Sequence, residues 1–230
     1  MLVNVYHEGV HRRPVDGAFA FPSILNLSKA DLHFIDTHGV TAWAAPRGGY
    51  DLPWTTVKLT VTARRRVRIL GMRAVILSTS ARPTGTLLQP AEQGAVGNTA
   101  IDIGLSNVSP EAMIVGKNGF PTREPYFKKY SYVLAPGEQA TFEITAYPGR
   151  QLYQPGDQGQ AYRWLLDITL LDQNRTKDTL IKDSGGKPFA TTAPTASAAA
   201  FKAVYVQCLY PEIPVAACKN VPRMQWTRQK

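Results

Sequence analysis

Four arginines in a run of five residues, Arg64, Arg65, Arg66 and Arg68, form the densest positive cluster of the chain. A guanidinium carries a rigid fork of donors that matches carboxylate and phosphate oxygens. A cluster of them therefore suits a phosphate or an acidic partner. On a single strand Arg64, Arg66 and Arg68 would share one face. The competing reading is a charged strand end that deters edge pairing. A second set is aromatic: Tyr126, Phe127, Tyr130 and Tyr132, with Tyr147, Tyr153 and Tyr162 farther on. Tyrosine joins an apolar ring to a polar tip and suits protein or glycan contact; packing at the core edge is the alternative. Few aromatics lie near the arginines in sequence, so stacking on single-stranded nucleic acid lacks support.

Other constellations point to chemistry less directly. His33, Asp36 and His38 are metal-ligand types. On a helix the two histidines, five apart, point away from one another, and on a strand His33 and Asp36 take opposite faces. No metal site and no cofactor are expected. Cys208 and Cys218 enclose nine residues with Pro211 and Pro214 among them. A disulfide closing that loop would contribute about 2–3 kcal/mol and would suit an oxidising compartment; two unpaired thiols are the alternative. Asp102, Glu111, Glu138, Glu143, Asp167 and Asp172 supply carboxylates, and a glycosidase needs two of them ~5–9 Å apart, a distance that only the fold can set. No Ser lies in a Gly-x-Ser-x-Gly elbow, which excludes an α/β-hydrolase. Gly94–Gly97 and Gly116–Gly119 lack the Lys-Ser/Thr ending of a P-loop and read as turns.

The elements that must position these residues are strands. The chain has 230 residues, 18 glycines and 17 prolines, and 26 basic against 17 acidic residues for a net charge of +9. That is too apolar for disorder and long enough to bury a large core. The positive balance favours anionic partners or simply a solvated surface. No apolar run is long enough to span a bilayer. Residues 57–63 alternate, with Val57, Leu59 and Val61 on one face. Ile69–Leu77 is a second β-rich run, and Phe142, Ile144 and Ala146 share the face of a third. Trp164, Leu166, Ile168 and Leu170 line the strongest strand, with Asp172–Asn174 as a turn and Asp178–Lys182 as its return. Residues 1–54 are broken by Gly and Pro, with one short helix at Ser28–Asp36 capped by Ser28. Ala190–Ala200, uncharged and rich in Thr and Ala, reads as a linker or surface strip. Short strands and frequent turns predict an all-β antiparallel sandwich with long loops. Its parts would be an irregular N-terminal wrap (1–54), the sandwich (55–210) and a basic C-terminal tail (211–230).

Residues 55–195 resemble a recurrent β-rich C-terminal region of uncharacterised actinomycete proteins. The resemblance rests on Thr56–Thr62, Val67–Leu77 with its basic flank, and Arg82–Thr86. It continues in Tyr130–Glu138, Phe142–Ala146, Trp164–Ile168 and Gly185–Thr192. It implies a β-rich domain and carries no activity with it. In that family the region often follows a variable N-terminal portion, sometimes a membrane segment or a helix-turn-helix, and this sequence shows neither. The two-cysteine stretch after residue 195 departs from the pattern.

The expected function is a non-enzymatic interaction module that contacts a protein or cell-surface component through sandwich loops. Arg64, Arg65, Arg66, Arg68, Tyr126, Tyr130 and Tyr132 are its binding candidates. One alternative is a basic nucleic-acid-associated protein using Arg64–Arg68. Another is a hydrolase whose carboxylates converge only in the fold. The residues after Met1 lack the basic start, apolar core and cleavage site of a signal peptide. The expected compartment is cytoplasmic, or extracytoplasmic or membrane-tethered where a targeting segment precedes these residues.

Overall fold

The structure is a computed structural model that describes residues 2–8, 17–90, 101–116, 121–149, 160–193, 198–208 and 226–228. The chain opens with β1 (Leu2–Glu8) and β2 (Ala18–Phe21), then α1 (Lys29–His38), α2 (Val40–Ala44) and β3 (Tyr50–Leu52). Next come β4 (Thr55–Thr62), β5 (Val67–Ala81), β6 (Thr86–Gln89) and β7 (Ile101–Gly104). β8 (Met113–Val115), β9 (Pro121–Pro125), α3 (Tyr126–Lys129), β10 (Tyr132–Leu134) and β11 (Gln139–Tyr147) follow. β12 (Gln160–Asp172), β13 (Arg175–Ile181), β14 (Phe189–Thr192), β15 (Ala203–Gln207) and β16 (Trp226–Arg228) complete the described elements.

These strands form two sheets that pack face to face. The smaller runs β1-β4-β11-β7-β8-β9. The larger runs β10-β5-β12-β14-β3-β2-β6-β15-β16, with β13 also paired to β12. The expected all-β sandwich is what folds. Its sheets are mixed, because β11 with β7, β14 with β3, and β15 with β6 run parallel. The alternation read from the sequence sets the core. Val57, Leu59 and Val61 are fully buried from one sheet, and Trp164, Leu166 and Ile168 from the other, while Lys58 points to solvent. Residues Gln173 and Asn174 both take positive φ, which makes the tight turn between β12 and β13 one that matches strand twist.

The N-terminal stretch contains more order than its Gly and Pro punctuation reveals. β2 and β3 are interior strands of the large sheet, and β1 pairs with β4 along seven residues. Ala18 and Ala20 face one cluster with Leu87, Val204 and Val206. Phe19 and Phe21 face the other way, against Ile35, Trp43 and Ala44 of α1 and α2. The two helices therefore cover a second face of the same strands. α1 begins at the capping residue expected: Ser28 Oγ accepts from the Asp31 amide, and the Asp31 carboxylate accepts from the Ser28 amide.

The Thr/Ala stretch after Phe189 is a correction. Phe189–Thr192 is a buried interior strand between β12 and β3. Having no charge, it can be buried at small cost, and its hydroxyls find partners: Trp164 Nε1 donates to Thr191 Oγ1 at 2.9 Å, and Thr55 Oγ1 lies 2.6 Å away. Thr55 Oγ1 in turn donates to the Asp51 carboxylate at 2.6 Å. Residues 194–197 lie outside the described residues.

Candidate functional site

The chain passes from the small sheet to the large one between β4 and β5, and Arg64, Arg65 and Arg66 occupy that crossing. It passes back between β10 and β11, through residues 135–138. The two crossings are bonded to one another: Gly137 N–H donates to Ala63 O and Ala63 N–H to Glu138 O. Gly137 takes φ +87°, a conformation that glycine adopts freely. The Ala135 N–H donates to the Glu138 carboxylate, closing the turn. The β12–β13 turn belongs to the same end, because Val67 pairs with Asp172.

Of the two arrangements weighed for the arginines, a shared strand face and a charged strand end, the placement matches the strand end. Arg64 and Arg65 form a bend, Arg66 directly precedes β5, and only Arg68 stands on β5. All four arginines are exposed. Arg65 is bound to Asp172 at 2.6 Å. Among the described residues Arg64, Arg66 and Arg68 have no ion-pair or hydrogen-bond partner. Arg175 and Lys177 of β13 are exposed nearby in register, opposite Asp172 and Leu170. Among the described residues the cations at this end outnumber the three carboxylates, Asp172, Glu138 and Asp178, and each of those already has a partner.

The fold joins the aromatic set to this end, which the sequence could not show because some 60 residues separate them. β10 is the edge strand beside β5: Tyr132 pairs with Ile69 and Val133 with Arg68. Val133 is 46% exposed and Tyr130 42% exposed. Tyr126 and Tyr132 are turned inward, their hydroxyls 2.8 Å apart. Tyr132 packs edge-on against Phe142, with ring centroids 5.0 Å apart. Burial, then the hydrogen bond to Tyr132, pushes the Tyr126 phenol well above its usual range, so it stays neutral. Of the three tyrosines, only Tyr130 offers much surface, with its ring tilted against Tyr126. Tyr147 is buried beside Trp54, and burial with the nearby Asp102 charge raises its phenol too. Tyr162 is also core. Tyr153 lies outside the described residues.

The remaining candidates take structural roles. On α1, His38 stacks on Phe34 with centroids 4.3 Å apart. The Asp36 carboxylate accepts from Trp226 Nε1 at 2.9 Å and Gln207 Nε2 at 3.1 Å. Among the described residues no group of three or more His, Cys, Asp or Glu is placed to hold a metal ion. Among the described residues Asp51, Asp102 and Asp167 are the buried carboxylates. They stand on β3, β7 and β12, and Asp167 is held by Arg73. The hydrogen-bond signal that sequence reading missed is the Asp51–Thr55–Thr191–Trp164 chain; its members are 4 to 136 residues apart and no local pattern unites them. Cys208 is buried at the end of β15, and Cys218 lies outside the described residues, as do Gly94–Gly97 and most of Gly116–Gly119.

The chain matches no family model, no curated protein and no solved structure. Among the described residues no helix is long and apolar enough to cross a membrane.

Proposed function

We propose that the chain is a non-enzymatic interaction module that binds an acidic protein surface through the loops at the basic end of the sandwich. The observation that carries this reading is the Val133–Arg68 pairing. It sets exposed Val133 beside exposed Arg68, with Arg64 and Arg66, partner-free among the described residues, in the adjoining crossing. An apolar contact rimmed by guanidinium forks fits a carboxylate-rich surface with an apolar residue among its acids. The arrangement supplies donors and packing area. Buried Tyr126 and half-buried Tyr132 pack the edge strand against the core and leave Tyr130 to make contact. Resemblance to the actinomycete region adds no activity to this reading.

The test measures binding of a Glu/Asp-rich peptide containing one Leu, and of a single-stranded oligonucleotide of equal charge, at low and moderate salt. The peptide should bind the native chain. The Arg64→Ala, Arg66→Ala, Arg68→Ala triple variant should bind it about tenfold more weakly, since three exposed charge pairs are worth roughly 0.5 kcal/mol each. Removing Lys29 and Lys202, exposed cations on other elements, should change little. Equal binding by the triple variant would remove the reading. Preference for the oligonucleotide, with a steep salt dependence, would replace it with nucleic-acid association.

A further inference from the structure

The open edges of the sandwich are mostly protected. A free strand edge is a template for another chain, and proteins blunt it with proline, charge or shortness. β9 begins and ends in proline. β13 carries exposed Arg175, Lys177 and Asp178. β10 and β16 are three residues each. β1 is the other open edge of the small sheet, seven residues paired only with β4. Within the large sheet, β5 is the exception. One of its sides is paired with β12 along its length, from Val67 to Ala81. The other side is covered only at its start. β10 pairs with Val67–Ile69, and the Pro110–Ala112 backbone bonds to Met72 and Ala74. Beyond Ala74 nothing among the described residues pairs with it.

That uncovered stretch ends in Leu77-Ser78-Thr79-Ser80-Ala81. All five residues are exposed, Leu77 by 51%. None is charged and none is proline. Of their partners on β12, Ala161 and Tyr162 are buried, Arg163 is half-buried and Gln160 exposed, so the run is paired on one side and, among the described residues, open on the other. The pairing with β12 skips at Leu77 and then continues unbroken from Ser78 to Ala81.

We infer that a second copy of this chain pairs antiparallel with Ser78–Ala81, making a weak two-fold dimer by extending the large sheet across the interface. The run is its own best complement. A two-fold axis at Thr79 sets Thr79 against Thr79, Ser78 against Ser80 and Leu77 against Ala81. Hydroxyl pairs of this kind are favourable across strands, and no like charges meet, although each copy carries +9. An interface of this kind is isologous and closes on itself. Five residues span only about 17 Å of strand, far less than the ~800 Å² per partner of a stable complex, so the dimer is reversible. The surface is independent of the basic end: Arg68 and Ser80 are twelve residues apart along β5, roughly 40 Å for an extended strand.

Sedimentation of the whole chain over a concentration series tests this. A monomer–dimer equilibrium is expected, stronger at moderate salt because screening reduces the repulsion of two positive copies. The Ser78→Lys, Ser80→Lys double variant opposes two pairs of like charges and should weaken the dimer about tenfold. The Ser78→Glu, Ser80→Glu variant should do the same. Mixing the two should restore pairing as a heterodimer. Unchanged thermal melts at low concentration would show that each variant is folded. A chain that stays monomeric to about 1 mM would overturn the inference. So would a dimer indifferent to the lysines, or variants that do not rescue one another.

Discussion

Arg73 on β5 and Asp167 on β12 stand directly opposite one another on the outer side of the large sheet, and both Nε and Nη2 of the arginine reach the same carboxylate oxygen, at 3.0 and 2.9 Å. Asp167 is 2% exposed and Arg73 54%. A buried carboxylate stripped of its cation keeps a desolvated charge, while water around Arg73 screens part of the attraction. Arg73→Ala should therefore destabilise the fold by about 2 kcal/mol, between the exposed and buried limits. Urea unfolding would read it. A second variant, Arg73→Ala with Asp167→Leu, should recover most of the loss by removing the stranded charge. No recovery would mean that Asp167 is anchored by something other than Arg73.

Thr191 is the hub that ties the sheets together. Its hydroxyl oxygen receives the Trp164 indole N–H and lies 2.6 Å from the Thr55 hydroxyl, which itself reaches Asp51. Thr191→Val keeps the shape and removes the hydroxyl, leaving a buried indole donor unpaired, at a cost of about 1–3 kcal/mol. Thr192→Val is the control, because its hydroxyl makes only a 3.4 Å contact with Gln160 O. Denaturation followed by tryptophan fluorescence should show a clear loss for the first and a small one for the second. Equal losses would assign the effect to β-strand packing rather than to the hydrogen bonds.

The sequence carried the strands whose pattern is local and lost the parts whose pattern is not. Val57, Leu59 and Val61 alternate because one side of β4 is core and the other side solvent. β2 escaped detection because Ala18-Phe19-Ala20-Phe21 is buried on both sides, by the second core cluster and by the helices, so it has no alternation to read. Thr191 and its neighbours looked like a linker because threonine and alanine are as common in loops as in strands, and only distant partners make them core. Arg64, Arg65, Arg66 and Arg68 are exposed, as charged side chains commonly are. Their union with Tyr130 and Val133 depends on β10 pairing with β5 across some 60 residues, which no spacing records.

Helix α1 supplies a pH-dependent prediction. The hydrogen bond from the Ser28 side chain, followed by bonds from the Ser28 amide and Trp43, holds the Asp31 carboxyl below its usual range. A depressed folded-state value stabilises the fold above the ordinary carboxyl value of 3.8. That contribution is lost as the pH falls through the folded one. The cap should therefore hold at neutral pH and loosen only in acid below about pH 4. Ser28→Ala should raise the Asp31 carboxyl toward its ordinary value and cost about 1 kcal/mol at neutral pH. Carboxyl NMR titration of the two chains measures the first, and urea unfolding at pH 7 and pH 3 the second. A mutational loss of the same size at both pH values would separate the cap from the Asp31 charge.

The cysteines give the prediction that bears on compartment. Cys208 is 1% exposed, packed with Leu52, Leu87, Phe201 and Val206. Burial alone would shield a free thiol from reagent, so alkylation of the folded chain decides nothing. The informative experiment unfolds the chain first, then compares intact mass after alkylation with and without reductant. The expected result is no added mass until reductant is present, then two adducts, as for a bridge between Cys208 and Cys218. Removing that bridge by Cys218→Ser should lower stability by about 2–3 kcal/mol, the loop-closure value for a short loop. It should also leave Cys208 as a buried thiol that alkylates on unfolding. Two adducts from the unfolded native chain without reductant would instead mean two thiols. The argument for an oxidising compartment would then fall, leaving Cys208 as a small apolar side chain filling the space under β15.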